Sequence, residues 1–299
     1  MSERLLLVTG GAGHVGSHVI EQLAAKEPDS RIISLDNYSN GSKANELALP
    51  NVEYRTGDTN DIGDLDLPGT PDVVYHLGEY ARIAPSFTEP ERVFHANIGG
   101  TAAVLEFCRR RGVGKLVYAG SSTRFAANNT GRHQNPYSFA KATCRDLIVD
   151  YGEWYGLDYA ICYFYNAYGP REKGTGPYAT LIAKFQEQYK RGRPFTVNRP
   201  GTQKRNFTHV GDIARGMILA GEQGHGDGYA LNHPDAYSIE EIARLFGGPI
   251  IYQDGYPGRT DSGDAPTKAY ELGWRPTISI ADYIKDFTAR HPQPVPEHV

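Results

Sequence analysis

Tyr137 and Lys141 stand four residues apart and can do acid–base chemistry as a pair. Positions i and i+4 of a helix share one face, so the Lys141 ammonium is expected beside the Tyr137 ring. A free phenol titrates near pH 10, about three units too high for a good base at neutral pH, and a neighbouring ammonium would favour its phenolate. Such pairs are common on exposed helices. What makes this one informative is Gly120-Ser121-Ser122-Thr123, which directly follows a strand-like run. In a doubly wound sheet, ligands bind in the crevice beyond the strand ends, so the Ser121 hydroxyl could share a substrate oxygen with Tyr137.

A second constellation lies at the start of the chain, Val8-Thr9-Gly10-Gly11-Ala12-Gly13-His14-Val15-Gly16. It follows the first strand-like run and opens the first helical stretch. Glycines at 10, 13 and 16 allow a tight turn, a close approach of backbone to a pyrophosphate, and close packing of helix on sheet. The helix N-terminus then offers free N–H groups and partial positive charge to the phosphates. Asp36 ends the second strand, where a carboxylate can bind the adenosine ribose hydroxyls. That carboxylate would repel a 2′-phosphate, so NAD rather than NADP is expected, and a positively charged nicotinamide would add to the field favouring the Tyr137 phenolate. Asp58, after the third strand, could bond the adenine or could be a plain turn aspartate in Thr56-Gly57-Asp58.

The elements that must position these residues alternate along the chain. Apolar runs at 5–9, 32–35, 52–56, 73–76, 116–119 and 159–165 suit strands buried on both faces. Between them, 14–26, 97–111 and 137–155 read as helices. This rhythm predicts parallel strands with right-handed crossovers, an α/β fold with a doubly wound (Rossmann) sheet. From Gly169 onward the rhythm breaks into Gly/Pro-rich connections between helices near 179–191, 213–222 and 238–246. The expected organisation is a Rossmann domain over 1–168, with a return near 205–232. A smaller C-terminal α/β substrate lobe is expected from 169–204 and 233–299, ending in a loose Pro-rich tail.

Bulk composition excludes several classes. The 299 residues carry a net charge of −4, with no run of five like charges, so the basic field that nucleic-acid binding needs is missing. No apolar stretch approaches a membrane span, and no signal peptide is read at the N-terminus. Cys108, Cys144 and Cys162 are widely spaced and read as buried thiols rather than a disulfide or zinc framework, so no metal is expected and a cytoplasmic location is.

Taken in order, Thr-Gly-Gly-Ala-Gly-His-Val-Gly (9–16), Leu-Asp-Asn-Tyr-Ser-Asn-Gly (35–41), Tyr-His-Leu-Gly (75–78), Gly-Ser-Ser-Thr (120–123) and Tyr137 with Lys141 resemble the extended short-chain dehydrogenases. Tyr-Asn-Ala-Tyr-Gly-Pro-Arg (165–171) and Arg-Asn-Phe-Thr-His-Val-Gly-Asp (205–212) narrow the resemblance to the nucleotide-sugar epimerase/dehydratase branch. The resemblance implies a catalytic trio of Ser121, Tyr137 and Lys141. The cofactor-binding positions expected are Gly10, Gly13, His14 and Val15 in the turn, Asp36 with Asn37, Asp58, Leu77 and Asn97, together with Tyr137 and Lys141. On the substrate side it implies Ser122, with Asn166, Arg205 and Arg259 at the nucleotide diphosphate, where a guanidinium fork suits phosphate oxygens.

Dehydratases of this branch resemble one another in carrying Asp-Glu directly after the catalytic Ser/Thr; here those positions are Ser122 and Thr123. The expectation is therefore an NAD-dependent 4-epimerase of a nucleotide-linked hexose, with a UDP-hexose favoured. A 4,6-dehydratase or 4-reductase is the alternative, and a non-catalytic NAD-sensing scaffold a more distant one. The chain departs from the branch at Gly78-Glu79, where small apolar residues are usual, at Arg124-Phe125, Tyr163 and Arg199-Pro200, and in a short 125–136 connection. Arg124 and Glu79 could contact polar sugar groups or pair at the surface, the surface pairing being favoured. The resemblance also implies a homodimer through the helices at 97–111 and 137–155, although the apolar stripe Ala102, Val104, Leu105, Cys108 could equally be core.

Overall fold

The computed structural model describes residues 4–125, 131–176, 178–255, 266 and 268–292. Arg259 and the tail from 293 lie outside the described residues.

Seven parallel strands form the central sheet: β1 (Leu5–Thr9), β2 (Arg31–Asp36), β3 (Val52–Thr56), β4 (Val73–His76), β5 (Lys115–Ser121), β6 (Tyr159–Phe164) and β7 (Gly226–Leu231). Their order is β7-β6-β5-β4-β1-β2-β3, so the direction of winding reverses between β1 and β4. The crevice beyond the carboxyl ends of these strands is the position where this topology opens a ligand site. β1 is buried at all five positions, as expected of a strand covered on both faces. β3 is not. It forms the sheet edge and is half-exposed, and Glu53 on it pairs with Arg31 at 2.8 Å and Arg55 at 2.7 Å. Charges on an edge strand oppose further pairing, and β3 departs from the expected burial on both faces because it has a neighbour on one side alone.

Helices α1 (His14–Lys26), α2 (Gly100–Arg111), α3 (Pro136–Tyr155), α4 (Leu181–Lys190) and α5 (Val210–Gln223) follow. One apolar core joins α1 and α5 to the sheet through Val19, Ile20, Leu23, Ile213 and Met217. The other face is covered by α2 and α3, with Val104, Leu105, Phe107, Cys108, Cys144 and Ile148. Three residues of the α2 stripe, Val104, Leu105 and Cys108, are thus core and lend no support to a dimer. Residues 210–231 return to the main sheet as α5 and β7. Ala269 and Trp274, in a stretch expected in the outer lobe, also pack into the main core, where Trp274 Nε1 donates to the Asp212 carbonyl at 2.8 Å. A buried indole needs an acceptor, and the start of α5 supplies it.

The outer lobe has its own core, built on Phe185, Phe195, Phe246, Ile284 and Phe287. It holds α4, α6 (Ile239–Phe246), α7 (Ile280–Arg290) and a parallel pairing of Phe195–Asn198 with Ile250–Gln253. Ser238 starts α6 through a capping box with Glu241. All three cysteines are free and buried. Among the described residues, no helix is long and apolar enough to cross a membrane.

Candidate active site

The turn between β1 and α1 presents backbone to the crevice. Gly10 has a φ of +71°, and a Cβ there would lie 2.6 Å from the Leu77 carbonyl oxygen. A Cβ at Gly16 would lie 2.1 Å from the Gly10 carbonyl oxygen, so helix and turn approach at a distance that glycine alone permits. Among the described residues, no side chain bonds the first-turn N–H groups at the Gly13 cap of α1, and His14 Nε2 is buried with no hydrogen-bond partner. An uncapped helix start inside a cleft supplies free donors and partial positive charge, which fits a pyrophosphate. Burial, reinforced by His18 and Arg82, lowers the His14 pKa to about 3, so the ring is neutral.

At the end of β2, Asp36 accepts from the N–H groups of Ala12 (3.0 Å) and Tyr38 (2.8 Å). Burial raises its pKa, and those two bonds oppose the rise. Asn37 Nδ2 donates to Asp58 at 2.6 Å, and Asp58 also accepts from the Asn60 N–H at 2.9 Å. Asp58 therefore caps a structural turn and also lines the cleft. These groups and the turn fit the adenosine and diphosphate of a dinucleotide.

The reactive end lies where β4, β5 and α3 meet. Asn135 caps α3 by accepting from the Ser138 N–H at 2.8 Å, and Pro136 occupies the first turn. This start places Tyr137 at the helix mouth and Lys141 one turn further in. Ser121, the last residue of β5, accepts at Oγ from the Thr123 N–H (3.3 Å) and hydroxyl (3.0 Å). Lys141 Nζ donates to the Ala119 carbonyl oxygen and to the Glu79 carboxylate, and lies 4.4 Å from the centre of the Tyr118 ring. Glu79 also accepts from the Tyr118 hydroxyl at 2.8 Å and from Thr101 at 3.4 Å. The favoured surface pairing of Glu79 with Arg124 is thereby corrected. Glu79 is buried against the lysine, while Arg124 is exposed and forms no ion pair with it.

One cleft of about 1040 Å³ joins these regions, above the roughly 300–1,000 Å³ of a single small-ligand pocket. Gly10, Gly13, His14, Val15, Asp36, Asn37, Asp58, Leu77, Ser121, Ser122, Tyr137, Lys141, Asn166 and Arg205 all line it. Asn97 does not. It sits on a π-helical turn (His95–Gly99) and spends its amide on the backbone of Tyr80, accepting at 2.7 Å and donating at 3.0 Å. It holds the loop after β4 in place rather than facing the cleft.

Among the charged residues lining the cleft that sequence reasoning missed are Arg82 and Glu172. Arg82 donates to the carbonyl oxygens of Tyr178 (2.9 Å) and Ala81 (2.8 Å), and has no carboxylate within ion-pair distance among the described residues. Burial lowers its pKa, against the nearby Tyr137 and Glu172. Glu172 is pushed up to about 7 by burial, opposed by Thr180, the Gly169 N–H and Arg82. Both lie in irregular segments, where no periodicity says which way a side chain points.

Comparison with known proteins places this geometry in a family. The model of the NAD dependent epimerase/dehydratase family matches residues 6–232. A Methanocaldococcus jannaschii protein provisionally named UDP-glucose 4-epimerase is 29% identical, over 94% of this chain and 96% of its own. UDP-glucuronic acid decarboxylase 2 of Arabidopsis thaliana is 28% identical, over 95% of this chain and 68% of its own. Among solved structures, UDP-glucose 4-epimerase of Thermotoga maritima with UDP-glucose superposes with a TM-score of 0.88 at 27% identity, covering 96% of this chain and 99% of that one. The chain therefore belongs to the NAD-dependent epimerase/dehydratase family, and its cofactor is NAD.

Proposed function

We propose that the protein is an NAD-dependent epimerase that inverts the 4-hydroxyl of a nucleotide-linked hexose, of the UDP-glucose/galactose type, through a 4-keto intermediate. The observation that carries this reading is the convergence of Ser121, Tyr137 and Lys141 on the cleft that holds the glycine turn. Tyr137 takes the proton of the sugar 4-hydroxyl and later returns it, Ser121 donates a hydrogen bond to the same oxygen, and Lys141 supplies positive charge beside Tyr137. The chemistry that NAD supplies when bound is reversible hydride transfer. Asn166 and Arg205 hold the nucleotide diphosphate at the other end of the cleft, and Arg259 belongs to the same set. Ser122 and Thr123 stand where a dehydratase would need carboxyl groups, which favours epimerisation over dehydration. Epimerisation leaves the cofactor balance unchanged, so turnover that steadily consumed added NADH would refute it in favour of a reductase. A cytoplasmic homodimer belongs to the same proposal, and a monomeric mass in light scattering would remove the dimer.

Arg82 favours a second reading, in which the sugar is a hexuronate. A half-buried guanidinium whose hydrogen-bond partners among the described residues are carbonyl oxygens, close to Tyr137, suits an anion that arrives with the ligand. Oxidising C4 of a hexuronate creates a β-keto acid, which can lose its carboxyl group as carbon dioxide before the ketone is reduced. The same protein given UDP-glucuronate would then release carbon dioxide and a UDP-pentose rather than a 4-epimer.

A further inference from the structure

Glu79 has no part in the chemistry above, yet it is among the most deeply enclosed charges of the cleft. Its side chain is 4% exposed and that of Lys141 6%. Burying two such charges costs several kcal/mol each unless their hydrogen bonds are satisfied. Here they are, because the carboxylate accepts from Lys141, Tyr118 and Thr101. Thr101 in turn contacts His76 Nε2 at 3.1 Å, and His76 Nδ1 contacts the Thr9 hydroxyl at 2.8 Å. The carboxylate thus closes a polar network that runs across β1, β4, β5 and α2.

The other titratable groups facing the pair are His76, Tyr118, Cys144 and Tyr137. Burial lowers the His76 pKa to about 4, pushes Cys144 up to about 12 and raises Tyr118. His76, Tyr118 and Cys144 are therefore uncharged at neutral pH and leave Glu79 as the countercharge of Lys141. Burial works against the Lys141 ammonium, and the Glu79 charge, with Tyr137, outweighs it and keeps the lysine above its ordinary range. An ammonium has three donors. Glu79 and the Ala119 carbonyl take two, and the Tyr118 ring packs against the charge, which leaves one N–H for a ligand in the cleft.

We propose that Glu79 is the positioning residue of the catalytic lysine: its buried carboxylate anchors the Lys141 ammonium and acts as its counter-charge, so that one N–H stays aimed into the cleft. This rests on the role given to Lys141 above. Without the carboxylate, the largest opposition to burial at Lys141 is gone, and the ammonium is lost at a pH where the native enzyme retains it.

The test uses Glu79→Gln, which keeps the shape and an acceptor but removes the charge, and Glu79→Asp, which keeps the charge on a shorter arm. Two readouts are followed against pH. The first is acylation of Lys141 by acetic anhydride in the protein without substrate, read by mass spectrometry, since the neutral amine alone reacts. The second is the rate of turnover of the nucleotide sugar. For Glu79→Gln the labelling midpoint should fall by about one pH unit or more, and the rate should gain a descending alkaline limb at the same pH. For Glu79→Asp the shift should be in the same direction and smaller. A side chain needed merely for packing would scale the rate at every pH and leave the labelling midpoint in place. That result in a folded Glu79→Gln protein overturns the proposal, as does an unmoved midpoint in Glu79→Asp if the Gln variant does not fold. A Lys141→Met enzyme at full rate would instead overturn the role of the lysine, and would leave the labelling shift of Glu79→Gln intact.

Discussion

Replacing Gly16 by alanine tests whether the turn between β1 and α1 is a cradle that tolerates no side chain. The added methyl carbon would lie 2.1 Å from the Gly10 carbonyl oxygen and 2.9 Å from both the Gly10 carbonyl carbon and the Gly11 Cα. Real contacts of this kind essentially never fall below 3.0 Å, and every atom met is backbone, so no flexible side chain can yield. The helix start must retreat from the turn by roughly 1 Å, and overpacking of this sort costs about 1–3 kcal/mol. In a chain of this size that amounts to a fall in Tm of roughly 2–10 °C. The retreat also carries the first-turn N–H groups away from the phosphates. Binding of NAD should therefore weaken by about tenfold or more, the equivalent of 1.4 kcal/mol or more. Gly63→Ala is the control, because a Cβ there meets nothing within 4 Å and its φ is not left-handed. It should be neutral or stabilising by up to about 1 kcal/mol, with NAD affinity unchanged. Differential scanning calorimetry and isothermal titration with NAD measure both quantities. A Gly16→Ala protein that melts with the control and binds NAD as the native chain does would refute the packing argument.

Tyr137→Phe should lower kcat by about 10²–10⁴-fold while sugar binding, followed by titration calorimetry, changes little; a near-native kcat would remove the proposed acid–base residue. Glu172 has a folded-state pKa raised from 4.5 to about 7, so the stability it contributes is present below 4.5 and lost as pH rises through 7. Glu172→Gln should therefore leave stability near its native value below pH 4.5 and raise it above pH 7, by at most about 3 kcal/mol. Denaturant melts at both pH values that gave the same difference would contradict this. Arg82→Gln should reduce kcat/KM for UDP-glucuronate by about 10–100-fold and that for UDP-glucose by less than about threefold, if a hexuronate is the ligand. Equal losses on both sugars would remove the second reading.

Local signals in the sequence reached the cofactor side of the cleft. The turn from Gly10 to Gly16, α1 from His14 to Lys26, and β1 and β4 stand where the apolar runs and glycines put them. Each depends on neighbours close in the chain, where periodicity and turn chemistry act directly. The substrate side depends on contacts between distant segments, and there the sequence was harder to read. Glu79 reaches Lys141 across 62 positions, and Arg82 reaches Tyr178 across 96. Asn97 stands at the start of a helical stretch, where it looked free to meet a ligand. The π turn that rotates it onto Tyr80 has no signature in residue type. The edge position of β3 and the return of Trp274 to the main core are likewise products of strand order and packing, which composition does not carry.

The central claim is 4-epimerisation by a protein that carries and recycles its NAD. Its most direct test is to incubate the purified protein, without added cofactor, separately with UDP-glucose, UDP-N-acetylglucosamine and UDP-glucuronate, and to identify the products by NMR. At least one sugar should be converted to its 4-epimer and stop at an equilibrium mixture that is the same from either epimer. Accumulation of a 4-keto sugar, or no conversion of any of the three, would contradict it.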